Sequence, residues 1–359
     1  MEEEPDMPEL IASTASGDYP ILIRNKALSH IGSMAAEAVV GRRAFVVSDD
    51  QVYPLYFESV AQSLSAAGFS VQGYAFPAGE GSKSAATLLG LYEQFHLAGL
   101  TRADLVVALG GGVVGDVVGF AAATYLRGVP LIQVPTTLLA QVDSSVGGKT
   151  AIDLPYGKNL AGAFYQPKAV VLDPLVLRTL SRGRMAEGMA EVIKYGLIRD
   201  EKLFEQIESQ AYDLEWLLER CVRIKTTVVA ADERDSGERM LLNFGHTVGH
   251  AIEKITGYTT LSHGEAVAIG MMVATEIGEK LGKTPAGTSE RLRRVLERQH
   301  LPVACTWAAA DLMPAIHADK KRLASKIYFV LLNRVGDAFL NPMTPADLEQ
   351  VLGEVVGRG

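Results

Sequence analysis

Short β-branched and aromatic runs alternate with longer amphipathic stretches from Tyr19 to about Thr136: ILIRN, AFVVSDD, FSVQGYAF, DLVVALGGG and PLIQVPTT, each separated by helical periodicity. Strand and helix patterns in alternation predict βαβ units and a parallel sheet. From Ser82 to Leu97 the apolar positions Leu88, Leu89, Leu91, Tyr92 and Phe95 follow a helical period and predict a crossover helix. After Asp173-Pro174 the texture changes. RMAEGMAEVIKYGLI, AYDLEWLLERCVRIKTTVVAADE and HGEAVAIGMMVATEIGEKLG read as helices with few strand interruptions. An exception is KIYFVLLNRVGDAFL, whose Val-Gly-Asp centre predicts a small hairpin. The expectation is an α/β domain with a parallel sheet over 19–173 and a mainly α-helical domain over 174–359.

The chain has 359 residues, of which 48% are hydrophobic and 21% charged. That length favours two domains, and that composition is globular. Five acids and no bases fall in the first nine residues. Residues 1–18 therefore read as a solvated acidic tail, whose order the sequence leaves open. The net charge of -8 argues against a nucleic-acid partner. Cys221 and Cys305 form no CxxC, so neither a disulfide framework nor a zinc finger is suggested, which fits a reducing compartment. With no basic, apolar leader and no run long enough to span a bilayer, the chain reads as cytoplasmic with no membrane partner.

Gly110-Gly111-Gly112 follows an apolar strand and precedes a helix, an arrangement that lets a phosphate approach a helix N-terminus. GGGVVGD lacks the GxGxxG spacing, and glycines packing a helix on a sheet would give the same string. Three of the seven histidines, His246, His250 and His263, crowd into one short window. His246 and His250 are four apart and share a helix face, which suits a metal ligand beside a second ligand or a proton-transfer group. Two structural histidines at helical spacing remain the alternative. The sequence is not HExxH, so the corresponding protease mechanism is disfavoured. Glu191 and Lys194, three apart, are either site groups or a surface ion pair. Lys149, Lys158 and Asn159 lie among glycines, which suits a bound small anion better than scattered solubilising charge.

GGGVVGDVVGFAAATYLRGVPLIQVPTTLLAQVDSSVGGKTAID, PYGKNLAGAFYQPKAVVLD, GMAEVIKYG, LLNFGHTVGHAIE and HGEAVAIGM together resemble the 3-dehydroquinate synthases, from about Tyr19 to Leu332. The resemblance implies a Rossmann-like NAD-binding domain, a helical domain carrying Zn²⁺, Co²⁺ or another divalent ion, and a homodimer with the active site between domains. It implies metal ligands at Glu191, His246 and His263. NAD contacts are implied at Glu80, Lys83, Gly111, Gly112, Val113, Asp116, Thr136, Thr137, Lys149 and Lys158. Substrate contacts are implied at Asp143, Lys149, Asn159, Lys194, Lys225, Arg239, Asn243 and His250, at Lys320 or Lys321, and at Arg127 reaching in from the partner subunit. Of these, Asp143, Lys149, Lys194 and His250 are the implied catalytic groups. The implied reaction converts 3-deoxy-D-arabino-heptulosonate 7-phosphate to 3-dehydroquinate and phosphate. It runs through transient oxidation by NAD⁺, phosphate elimination, reduction, ring opening and intramolecular aldol closure.

Some positions depart from the family pattern. Ala78 and Ser82 stand where an aspartate and an aromatic residue are usual, Asp235 replaces a glutamate, and Ser181-Arg182-Gly183-Arg184 replaces a proline and Arg-Glu. The competing readings are another sugar-phosphate cyclase and a metal-dependent polyol dehydrogenase. Lys225, Arg239 and Asn243, which suit a substrate carboxylate, argue against the first. The clustered phosphate contacts argue against the second.

Overall fold

The computed structural model describes residues 9–233, 237–320 and 326–357, the side chains of Glu9 and of residues 318–320 excepted. The chain divides into two compact units: Met1–Leu180 with Leu214–Glu233, and Ser181–Asp213 with Arg234–Gly359.

The first unit contains strands β1 (Glu9–Ala12), β2 (Tyr19–Ile23), β3 (Arg43–Asp49), β4 (Ser70–Phe76), β5 (Leu105–Gly110), β6 (Leu131–Pro135), β7 (Lys149–Leu154), β8 (Gly157–Phe164) and β9 (Ala169–Leu172). Seven of them form one sheet in the order β1-β2-β9-β6-β5-β3-β4, parallel throughout except for β1 against β2. Helices α1 (Ile31–Ala38) and α2 (Tyr53–Ala66) cover one face, where Ile31 and Leu64 meet Val46, Val107 and Ile132. Helices α3 (Ala85–Leu97) and α4 (Gly112–Thr124) cover the other, where Leu91, Phe95 and Val117 meet Phe45, Val47 and Val106. Burial on both faces is why β3, β5 and β6 read as nearly unbroken apolar runs. β3 pairs with β4 on one side and β5 on the other, so the strand order reverses between β3 and β5. The C-terminal ends of strands at such a point form a ligand crevice, and β5 delivers the Gly111–Gly112 turn there.

Three features differ from the sequence expectation. The segment read as a solvated tail contains β1, whose Leu10 and Ala12 are buried while Ile11 is exposed, so a period-two pattern ties it to the sheet edge. The crossover helix begins at Ala85, because Ser84 caps it by accepting a hydrogen bond from the Thr87 N–H, while Glu80–Ser82 forms a separate turn. The hairpin of β7 and β8 gave no strand signal, since GKNLAGAF is rich in small residues and partly exposed.

The second unit begins with α5 (Arg182–Arg199) and α6 (Glu201–Ser209), after which α7 (Leu214–Ala231) belongs to the first unit. A single cut near 174 therefore does not describe the chain. Helix α7 is held there by polar contacts: Glu215 accepts from the Asn25 N–H at 2.6 Å, and Lys225 donates to the Asp143 carbonyl at 2.8 Å. Just beyond it, Glu233 accepts from Ser16 and Gln166.

The second unit continues with α8 (His246–Ile255), α9 (His263–Lys280), α10 (Thr288–Arg298), α11 (Ala309–Lys320), the antiparallel hairpin β10 (Ile327–Arg334) and β11 (Asp337–Met343), and α12 (Pro345–Val355). The hairpin turns through Gly336 at φ 82°, in the left-handed region glycine tolerates. Glycines also let three helices approach closely. A Cβ on Gly270 of α9 would sit 1.9 Å from the Gly245 carbonyl oxygen that leads into α8, and one on Gly264 would sit 2.3 Å from the Glu187 carbonyl oxygen of α5. Among the described residues no helix is long and apolar enough to cross a membrane.

Candidate active site

In the second unit, α5, α8 and α9 bring Glu191, His246 and His263 together, with one ligand atom from each lying within 4.8 Å of the others. Glu191 is fully buried. One side of its carboxylate faces the Lys194 ammonium one turn along α5, itself almost fully buried. The other oxygen, Oε1, lies 3.5 Å from His246 Nε2 and 3.7 Å from His263 Nε2. Those separations are beyond hydrogen bonding, and Oε1 has no hydrogen-bond partner among the described residues.

The opposite ring nitrogens are engaged. His246 Nδ1 lies 3.1 Å from the Phe244 carbonyl oxygen, and His263 Nδ1 lies 3.3 Å from Glu253 Oε1. With Nδ1 of each ring donating, each Nε2 keeps its lone pair toward Glu191. Burial holds the His246 imidazole well below its ordinary pKa, reinforced by Lys194, His263 and His250. Burial also lowers His263, but the hydrogen bond to Glu253 and the charges of Glu191 and Glu253 outweigh it, and the net shift is upward. His250 is exposed, with its ring centroid 5.3 Å from that of His246 and 6.0 Å from that of His263.

A buried carboxylate oxygen without a donor costs roughly 1–3 kcal/mol or more, and the neutral His246 imidazole beside it adds only a lone pair. A cation satisfies all three groups, and a His₂–carboxylate set is a donor set for catalytic zinc. The residues therefore fit a divalent metal ion. Arg239, buried, and Asn243, half-buried, belong to the short turn Glu238–Asn243 that precedes α8. Lys320 ends α11 but its side chain lies outside the described part of the chain, as do Lys321 and Asp235.

In the first unit, Gly111 caps α4 and Gly112 begins it. A Cβ on Gly111 would lie 3.1 Å from Thr137, and one on Gly112 would lie 3.2 Å from Ser144 Oγ, so side chains here would crowd the approach to the helix N-terminus. Val113 follows, half-buried. Thr136 is buried and its hydroxyl has no hydrogen-bond partner among the described residues. Buried Lys83 lies 2.5 Å from Asp116 Oδ2 and also donates to Asn159 Oδ1. Burial pushes the Asp116 carboxyl up to about 6 despite the pull of Lys83. Lys158 pairs with Glu80 at 3.0 Å, and Asn159 adopts φ 57°. The three residues grouped by the sequence thus divide: Asn159 joins Lys83 and Asp116, Lys158 joins Glu80, and Lys149 stands exposed at the start of β7. Lys225 donates to both the carbonyl and the carboxylate of Asp143. Arg127 is exposed, with left-handed backbone at Leu126 and Arg127.

Sequence reasoning missed Glu253. It lies seven residues after His246 on the same face of α8, a spacing that carried the signal.

Family models described as 3-dehydroquinate synthase N-terminal and 3-dehydroquinate synthase C-terminal match residues 73–187 and 188–322. The 3-dehydroquinate synthase of Clostridium acetobutylicum is 44% identical over 341 residues, covering 93% of this chain and 96% of that one. A solved 2-deoxy-scyllo-inosose synthase in complex with carbaglucose-6-phosphate, NAD⁺ and Co²⁺ superimposes with a TM-score of 0.85 at 26% identity, covering 97% of this chain and all of that one. The 2-epi-5-epi-valiolone synthase of Streptomyces hygroscopicus subsp. jinggangensis, with NAD⁺ and Zn²⁺ bound, gives the same TM-score and identity over 95% of this chain and 97% of that one. With such identity sustained over nearly its full length, the chain belongs to the 3-dehydroquinate synthase family.

Proposed function

We propose that this chain converts 3-deoxy-D-arabino-heptulosonate 7-phosphate to 3-dehydroquinate and phosphate, as a cytoplasmic homodimer using NAD⁺ and Zn²⁺. The observation that carries the metal-dependent reading is the buried Glu191 Oε1, without a donor among the described residues and facing two imidazole nitrogens. Bound groups supply two kinds of chemistry: a divalent cation acidifies the hydroxyls it ligates, and NAD⁺ takes up and returns a hydride.

The chain's own residues do the rest. Glu191, His246 and His263 hold the cation, and Lys194 offsets the charge of Glu191 beside it. Residues around the α4 N-terminus, namely Gly111, Gly112, Val113, Asp116, Thr136 and Thr137, together with Glu80, Lys83 and Lys158, hold NAD. Support for that assignment comes from the helix N-terminus at a strand-order reversal and from the buried Thr136 hydroxyl, which has no hydrogen-bond partner among the described residues. Lys149, Asn159, Asn243 and His250 bind the substrate phosphate, with Arg127 contributed by the partner subunit. Lys225 and Arg239 bind the carboxylate, and one of Lys320 and Lys321 assists. His250, exposed beside the metal set, and Asp143, held by Lys225, handle protons.

A second reading, that the chain is a cyclase for a phosphorylated sugar without a carboxylate, is favoured by the fold shared with the inosose and valiolone synthases. One experiment separates the two. Purified protein with NAD⁺ and Zn²⁺ is given 3-deoxy-D-arabino-heptulosonate 7-phosphate while phosphate, nicotinamide absorbance and organic product are followed. Phosphate and 3-dehydroquinate in equal amounts without net NADH are expected. An inert heptulosonate with a reactive heptulose phosphate overturns the proposal in favour of the second reading, and accumulating NADH from simple polyols overturns both.

A further inference from the structure

The two histidines beside Glu191 are secured in different ways. His246 directs Nδ1 to the carbonyl of Phe244, an acceptor supplied by the backbone of its own turn. His263 is the first residue of α9, and its backbone is fixed by a capping box in which Ser262 accepts from the Glu265 N–H and Glu265 accepts from the Ser262 N–H. That box leaves the imidazole ring unconstrained. The ring is also the more open of the two, 31% exposed against 12% for His246. What it does have is Glu253, a buried carboxylate of α8 whose Oε1 lies 3.3 Å from His263 Nδ1. His246, His250 and Glu253 fall at the first, fifth and eighth positions of α8, so one helix face carries a metal-facing histidine and the acceptor for the other histidine.

We infer that Glu253 is the positioning residue of the metal centre: by accepting from His263 Nδ1 it fixes the ring so that Nε2 addresses the same space as Glu191 Oε1 and His246 Nε2. This rests on the metal reading above and adds the group that orients the least constrained ligand. Outer carboxylates of this kind set tautomer and ring direction in metal sites, and their loss weakens metal binding about 10–100-fold. Glu253 also lies, with His250 and His263, in a second set whose ligand atoms are within 4.8 Å of one another, and a direct ligand role there is the competing account.

The test uses the full chain, stripped by chelator and titrated with Co²⁺ alone, read by calorimetry and by the visible absorption of the bound ion. Wild type is expected to bind one equivalent and His246→Ala none. Glu253→Ala should bind one equivalent about 10–100-fold more weakly with an altered visible band. Glu253→Gln, which keeps an acceptor oxygen, should recover most of the affinity, and metal-free melting curves verify that both variants fold. Wild-type affinity and spectrum in folded Glu253→Ala, with His246→Ala still failing to bind, overturns the role of Glu253 and leaves the metal reading intact. A wild type that binds two equivalents, of which Glu253→Ala loses one at unchanged affinity for the other, overturns positioning in favour of direct ligation. A wild type that binds no Co²⁺ overturns both.

Discussion

Changing Glu191 to Gln in the metal-free protein tests how much the site depends on a buried charge pair. The substitution keeps the shape of the side chain and removes its charge, leaving Lys194 beside an amide. Lys194 is 2% exposed and Glu191 0%, and the segment of α5 from Ala186 to Ile198 is buried. At a surface such a pair would be worth about 0–1 kcal/mol. Buried, the loss of one partner leaves an uncompensated charge, which costs about 3–5 kcal/mol. With a urea dependence of about 2 kcal/mol per molar, the helical transition should move down by roughly 1.5–2.5 M. Far-UV circular dichroism in urea with EDTA measures it. The double variant Glu191→Gln/Lys194→Met, which removes both charges, should recover much of the loss, because deleting a whole buried pair is often near neutral. Added Zn²⁺ should raise the midpoint of wild type and leave Glu191→Gln unmoved. A midpoint shift in Glu191→Gln below about 0.5 M, or a double variant weaker than the single one, would refute the reasoning.

Three other outcomes follow from the geometry. Asp116, raised to about 6 by burial, contributes stability that is present below the ordinary carboxylate value and lost as pH rises through about 6; two pH units amount to about 3 kcal/mol, so Asp116→Asn should flatten the fall in melting temperature between about pH 4 and 7. Gly270→Ala places a Cβ 1.9 Å from the Gly245 carbonyl, so it should lower the melting temperature and weaken Co²⁺ binding, while Gly183→Ala, which meets nothing within 4 Å, should change stability by no more than about 1 kcal/mol. Lys149→Ala should impair substrate binding through the phosphate and leave Zn²⁺ stoichiometry at one, which steady-state kinetics and metal analysis would check.

How legible each part was in the sequence depended on what the signal reported. β3, β5 and β6 stood out because both faces are buried, and His246 with His250 stood out because four residues make one helical turn. β7 and β8 did not, since their small and half-exposed residues show neither alternation nor a continuous apolar run. The periodicity of α7 announced a buried face but not the surface that buries it, which lies in the first unit through Glu215 and Lys225. Glu191 could not be joined to the histidines by spacing, because more than fifty residues separate them. Resemblance put them in one set, and close helix packing at Gly264 and Gly270 supplies the physical reason for their proximity. Glu253 was overlooked although its position on α8 was readable, because a glutamate seven residues from a histidine reads as an ordinary helix-surface residue until its burial is known.

The placement of α7 also has a temporal meaning. During synthesis α5 is complete before α7 closes the first unit, and α9 is complete only about 80 residues after α5. At 5–20 residues per second that interval is roughly 4–16 s. For the first part of it, until residue 246 is made, Glu191 has neither histidine, and until residue 263 it has only one of the two. Lys194, one turn away on the same helix, is made within a second of it and gives the carboxylate an internal counter-charge before the rest of the centre exists. The lysine that accompanies the site in the folded protein is thus also the first partner that Glu191 meets.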